Sequence, residues 1–440
     1  AFLSTFTRAL PDLEPPLVLD LQGFTAFLHP ARGSNAFAAL WERFIGSPPT
    51  AQPDAKDLRD FAHALVVRHF QRATPLRQLF ARGLEETQAS CSVEEAGPEG
   101  WLEIARRLLD RPSRWTGNLE DSQGTPLRDG MFGQDLDDSP LEMERPLSEI
   151  EPRFHSAYKK EFEPFPETKL ALEPSEGLPQ GDLETLEAFF DHLPSHFQTG
   201  QKGGATERPG QRAFAHAVEA TLAGKGFLLA DAPTGTGKTL AYLAPMLLWS
   251  VRHEVRVGVS TYTRALQEQA FFREVPRALE ILRQSGVEEE DLPRICMLKG
   301  RANYICGRAL ADSVPEAGST SAAASATWLR LALFWAEDPS GDLDGFGLPP
   351  GLPFPQPARA DRAAGARLAQ ARAMPACCFG TAGGRCAAAV RTMKADRAHL
   401  VFTNHAYVLS RPEAFAHLVF DECDHLHEVT LSVRSYDIEL

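Results

Sequence analysis

The chain has 440 residues, 43% of them hydrophobic, with a formal net charge of −14 and seven cysteines. That length allows two or three cores, so more than one domain is expected, and the acid excess argues against coating DNA by bulk electrostatics. With no run of about 18 apolar residues and no leader pattern, a soluble, cytoplasmic protein with no membrane partner is predicted.

Residues 1–115 alternate apolar stretches such as LVLDLQGFTAFLHP with helix-like segments such as DFAHALVVRHFQRATPLRQLFARGLEE. They read as a separate N-terminal domain of mixed type, of unknown role. Asp20, in VLDLQGF, has no carboxylate two residues on, so the Asp-x-Glu start of a two-metal nuclease is not met. Residues 116–204 become acidic and proline-bearing, with one amphipathic piece, LETLEAFFDHL. They are expected to be a linker and approach segment.

From residue 205 onward the pattern is that of a phosphate-binding α/β domain. In LLADAPTGTGKTL (228–240) an apolar strand runs into a glycine-rich loop that ends in Lys238 and Thr239. The loop, Thr234 to Gly237, has to bend so that backbone N–H groups face phosphate oxygens, which explains Gly235 and Gly237 on either side of Thr236. Lys238 would reach the β- and γ-phosphates of ATP, and the Thr239 hydroxyl would ligate Mg²⁺. Ala232 stands where the general motif has its first glycine.

VRVGVSTYT (255–263) reads as a second buried strand, followed by the helix RALQEQAFFREVPRALEIL. The stretch 311–373, rich in Ala, Gly and Pro, interrupts the alternation and is expected to be a partly irregular insertion. HLVFTNHAYVL and HLVFDECDHL supply two more strands with polar residues at their carboxyl ends, which predicts a parallel sheet with crossover helices. Asp421 would hold Mg²⁺ through water, and Glu422 would orient and deprotonate the water attacking the γ-phosphate.

These motifs together resemble superfamily 2 DNA helicases of the XPD/DinG type. APTGTGKT (232–239) reads as that family's phosphate loop does, alanine included. RPGQ (208–211) resembles its adenine-reading segment, in which Gln211 would hydrogen-bond the base. STYTRALQEQ, LKGRANYIC and TNHAYVL resemble motif Ia, the approach to the first cluster cysteine and the segment before the acidic motif. The likeness spans residues 208–428, and the family's Asp-Glu-Ala-His is here Asp-Glu-Cys-Asp, with Cys423 and Asp424 in the last two places. It implies a RecA-like P-loop domain over 205–440 with a cysteine-rich domain inserted at about 300–395. It further implies ATP-driven unwinding with 5′-to-3′ polarity, single-stranded and fork or overhang DNA as partners, and a second motor domain that this sequence does not include. The chain alone is therefore expected to turn ATP over very slowly. A nucleotide-gated binding or scaffold protein with a weakened motor is the alternative.

The family's inserted domain holds a [4Fe–4S] cluster on four thiolates, and the resemblance assigns Cys306 as first and Cys386 as last ligand, with Cys377 and Cys378 between them. Adjacent side chains tend to diverge, so zinc on the same thiolates, or reduced buried cysteines without metal, stay open. Cys91, Cys296 and Cys423 are expected to be structural thiols.

Arg372, Arg385, Arg391, Lys394 and Arg397 face a single acid, Asp396, within one short stretch. This is a candidate path for phosphates of single-stranded DNA, with a solvated helix face as the alternative. Thr261, Thr263 and Arg264 in motif Ia are further DNA candidates by resemblance, though a strand cap would look the same. His405 reads equally as a site residue or as a satisfied polar group at a sheet edge.

Overall fold

The structure is a computed structural model that describes residues 55–72, 74–89, 177–194, 209–224, 226–233, 235–315, 321–338, 340–346, 357–373, 386–411 and 414–434, with positions 25, 28, 29, 41, 42, 44–46 and 109. Asp20, Cys91, Arg208, Thr234, Cys377, Cys378 and Arg385 lie outside the described residues, as does most of the expected linker. The chain divides into two compact units, residues 1–161 with 301–388 and residues 162–300 with 389–440.

The second unit holds a parallel sheet of four strands: β1 (Val257–Thr261), β2 (Ile295–Met297), β3 (Leu400–Asn404) and β4 (His417–Asp421), in the order β2-β3-β1-β4. Every side chain of β1 is buried, consistent with a strand covered on both faces. Gly258 permits the approach of β4, because a Cβ there would lie 2.7 Å from Leu418 and 2.9 Å from Phe415. The register pairs Thr261 with Asn404 on one side and with Asp421 on the other. The carboxyl ends of three strands thus finish in one row, and that row positions the site. The Lys238–Arg252 helix is buried continuously from Leu240 to Ser250 and packs in one core with Leu186, Phe189, Val257, Val259 and Phe402.

Two expectations for this unit are corrected. The apolar run that opens at Leu228 is expected to be a strand, but residues 226–231 join no ladder among the described residues, and Phe227 and Leu229 are 88% and 75% exposed. No described segment pairs with them, and a strand without a neighbour has no partner for its backbone amides. The helix after β1 is also not uniform: Arg264–Gln269 is α, Ala270–Glu274 is a π turn, and Val275–Gln284 is α again. Pro276 has no N–H to donate, and the preceding turn widens where that bond would fall.

In the first unit, the Ala322–Glu337 helix is buried on nearly all sides. Its alanines favour helix within a stretch expected to be partly irregular, and Pro357–Gln370 is helical too. Helices from the expected N-terminal domain and from the expected insertion fall in the same compact unit. The Ala55–Phe70 and Thr74–Ala89 helices share one core with Ala322–Glu337. A helix apolar on every face needs cover from elsewhere in the chain. Gly83 lets the helices meet, since a Cβ there would lie 2.6 Å from Leu329 Cδ1, and Arg72 Nε donates to Glu337 Oε1 at 2.5 Å.

Candidate active site

The phosphate loop takes the backbone conformation its glycines allow. Gly235 and Gly237 have φ of +83° and +78°, a region that side chains with a Cβ rarely enter. Gly237 is the residue just before the Lys238–Arg252 helix, so the N-terminal amides of that helix open onto the loop. Thr236 Oγ1 donates to the Pro233 carbonyl at 2.9 Å and tightens the bend. Gln211 Nε2 donates to the Gly237 carbonyl at 2.8 Å, so this side chain braces the loop itself.

Across the sheet, Asp421 ends β4. Its carboxylate lies 3.6 Å from Lys238 Nζ and accepts a hydrogen bond from Tyr242 Oη at 3.0 Å. Burial first, and the Asp421 charge second, hold the Tyr242 phenol well above its ordinary pKa, so it remains a donor. Glu422 follows in a left-handed conformation, φ 60° and ψ 48°. For a residue with a Cβ this costs about 1–3 kcal/mol and turns the backbone out of the strand directly after Asp421. Behind this turn His405 is fully buried, with Nδ1 2.6 Å from Ser260 Oγ. Burial pushes its imidazole below the ordinary histidine range.

Sequence reasoning missed Tyr242. The signal was present, since Tyr242 is four residues after Lys238 and three after Thr239 and shares their helix face.

The motif Ia threonines serve the backbone. Thr263 caps the following helix, accepting from Leu266 N at 3.3 Å, and Thr261 Oγ1 donates to the Thr263 carbonyl at 3.1 Å, while Arg264 is exposed. Arg391 and Lys394 are partly buried on the Ala387–Asp396 helix, and Asp396 lies 3.5 Å from Arg256. Cys423 is exposed, which corrects its reading as a structural thiol; Cys296 is buried as expected, and burial pushes its thiol up to about 11.

In the first unit, Cys306 is buried in a small cluster with Tyr304, Ala373, Ala387 and Ala388, against which Cys386 packs. Cys306 N donates to the Ala371 carbonyl at 2.7 Å, and Ala373 N to the Tyr304 carbonyl at 2.9 Å. Among the described residues no three His, Cys, Asp or Glu side chains gather as a metal site, and no helix is long and apolar enough to cross a membrane.

A loop of this shape, with a lysine and a strand-end carboxylate converging beside it, defines a P-loop nucleotide-binding domain. Residues 209–286 match the DEAD/DEAH box helicase family. The ATP-dependent helicase DinG of Mycobacterium tuberculosis (strain H37Rv) is 38% identical over 111 residues, 25% of this chain and 16% of that relative. The ATP-dependent DNA helicase YoaA of Escherichia coli (strain K12) is 39% identical over 103 residues, 23% of this chain and 14% of the relative. The 3′-5′ exonuclease DinG of Bacillus subtilis (strain 168) is 28% identical over 171 residues, 39% and 17% of the two chains. The chain spans less than a fifth of the length of each of these curated relatives. The phosphate-loop unit carries the DEAD/DEAH box match, and the chain is similar to a DinG helicase over a quarter of its length.

Proposed function

We propose that the protein is an ATP-dependent DNA helicase that couples nucleotide hydrolysis to movement along single-stranded DNA and the opening of fork or overhang duplexes. The observation that carries this reading is the convergence of Lys238 and Asp421, 3.6 Å apart, beside a glycine-bent loop. The amides of Thr234 to Gly237 cradle the phosphates, Lys238 neutralises the β- and γ-oxygens, and Gln211, one bond from the loop, reads the adenine. Thr239 and Asp421 would hold Mg²⁺, which supplies charge neutralisation to the phosphates when bound. Glu422 takes the proton from the attacking water. The 5′-to-3′ direction follows from the resemblance alone.

Arg264, Arg385, Arg391 and Lys394 contact DNA phosphates in this reading, with Thr263 at the helix start beside them, giving affinity without sequence preference. Strand displacement by the full-length protein on a 5′-overhang duplex tests it. ATP-dependent displacement that Lys238→Ala abolishes is expected; displacement that survives this change overturns the assignment.

Cys306, Cys377, Cys378 and Cys386 would hold a [4Fe–4S] cluster, for which thiolates are suited donors. Two of the four sharing one small cluster supports this donor set. Iron analysis with an absorption band at about 400 nm in anaerobically purified protein is expected; stoichiometric zinc, or neither metal, overturns it. The nucleotide-gated scaffold reading draws on Asp424, whose side chain is 78% exposed in the acidic motif. It predicts ATP binding without strand displacement.

A further inference from the structure

Beyond hydrolysis, a motor needs a physical link between its phosphate site and the surface that grips the strand. The register of the sheet puts the ends of β1 and β4 side by side, with Thr261 opposite Asp421. One residue past each end, the chains part: Glu422 turns left-handed, and Tyr262 leads toward the Thr263 cap. Three residues after Glu422 the chains meet again. The His425 ring stacks on the Tyr262 ring with centroids 4.0 Å apart and planes 13° from parallel. Glu428 closes the group, its carboxylate 3.5 Å from Tyr262 Oη and 3.7 Å from His425 Nδ1.

We propose that the Tyr262–His425 stack transmits the state of the Asp421–Glu422 turn to motif Ia, so that His425 is the positioning residue coupling ATP turnover to DNA. This rests on the helicase reading above. Any rotation of the Glu422 turn carries the short Cys423–His425 helical turn with it. A shift of His425 would bear on the Tyr262 ring it stacks against, and Tyr262 stands two residues before Arg264, assigned to the DNA strand. Asp424 touches the stack only weakly in energy: its side chain is 78% exposed, and an exposed ion pair such as its 3.7 Å approach to His425 Nε2 contributes little. An aromatic stack at this distance has the geometry to act as a contact with two arrangements, made and broken.

The test uses the full-length protein with ATP and an oligo-dT strand. His425→Ala is expected to leave turnover without DNA within about twofold and to cut stimulation by DNA roughly five- to tenfold, the scale of one aromatic pair. Coupling is reciprocal, so the same variant should lose the ATP dependence of oligo-dT affinity measured by fluorescence anisotropy. His425→Phe, which keeps a stackable ring, should restore most of both effects, a rescue that a generally loosened fold would not give. Asp424→Ala should behave as wild type. Wild-type stimulation with His425→Ala unaffected, or loss in Asp424→Ala alone, overturns the coupling role and leaves the helicase reading intact. A wild-type protein indifferent to DNA overturns both.

Discussion

Tyr242 Oη donates to Asp421 Oδ2 at 3.0 Å, linking the helix behind the phosphate loop to the carboxylate at the end of β4. Lys238, one turn earlier on the same helix, lies 3.6 Å from the other oxygen of that carboxylate. The acidic motif is therefore held by two groups of the phosphate-loop helix before any substrate contact is considered. Tyr242→Phe removes one hydrogen bond to a charged acceptor and preserves the ring. The Mg²⁺ concentration needed for half-maximal turnover should rise roughly tenfold, the scale of such a bond, while binding of a fluorescent ADP without metal changes less than about twofold. An unchanged Mg²⁺ requirement would remove Tyr242 from the positioning of Asp421.

Gly237 is constrained twice, by its φ of +78° and by Gln211, whose Nε2 would lie 2.3 Å from an added Cβ. Gly237→Ala should therefore lower nucleotide affinity by about tenfold or more and destabilise the unit by about 1–2 kcal/mol. Adding Gln211→Ala relieves the clash and leaves the backbone strain. The double variant should recover part of the melting temperature and none of the affinity, as calorimetry and nucleotide titration would read.

The thiols of the phosphate-loop unit should divide sharply. Burial pushes Cys296 up to about 11, and it lies against the Met297 and Arg391 carbonyls, while Cys423 is exposed beside the acidic motif. Since the thiolate is the reactive form, iodoacetamide on the folded protein should label Cys423 and spare Cys296 until denaturant is added. Peptide mass mapping that finds Cys296 labelled first would contradict the burial described for β2.

Stability should fall on mild acidification. Burial, before any other cause, holds the imidazoles of His69, His399 and His405 below the ordinary value of 6.5. Such groups bind protons more readily in the unfolded chain, so their contribution is whole above 6.5 and is lost as pH falls from there toward the folded-state values. A melting temperature level from pH about 8 to about 7 and declining below about 6.5 is expected. A melting temperature that rises over the lower interval would mean that these rings are charged in the fold.

The parts of this molecule legible in the sequence are those with local causes. Glycines at the bend, a lysine–threonine pair opening a helix, and a carboxylate pair closing an apolar run each follow from backbone chemistry within a few residues. The three polar strand ends, Thr261, Asn404 and Asp421, fell in one row as the parallel-sheet pattern predicts. What the sequence hid was non-local. Tyr242 looked like one more residue of an apolar helix because its partner is 179 positions away. The shared core of the Thr74–Ala89 and Ala322–Glu337 helices depends on the absence of a side chain at Gly83, which no periodicity reveals. The segment 226–231 has the composition of a strand, but a strand exists only where a neighbour accepts its hydrogen bonds.

In the proposed function, Glu422, beside an Asp421 held by Lys238 and Tyr242, drives ATP hydrolysis that DNA stimulates. The most direct measurement is steady-state phosphate release by the full-length protein, with and without single-stranded DNA, for wild type and Glu422→Gln. Turnover should rise about tenfold or more with DNA, and Glu422→Gln should lose roughly 10²–10⁴-fold with nucleotide binding retained, the range for removing a general base. Turnover that Glu422→Gln leaves intact would contradict this role of Glu422.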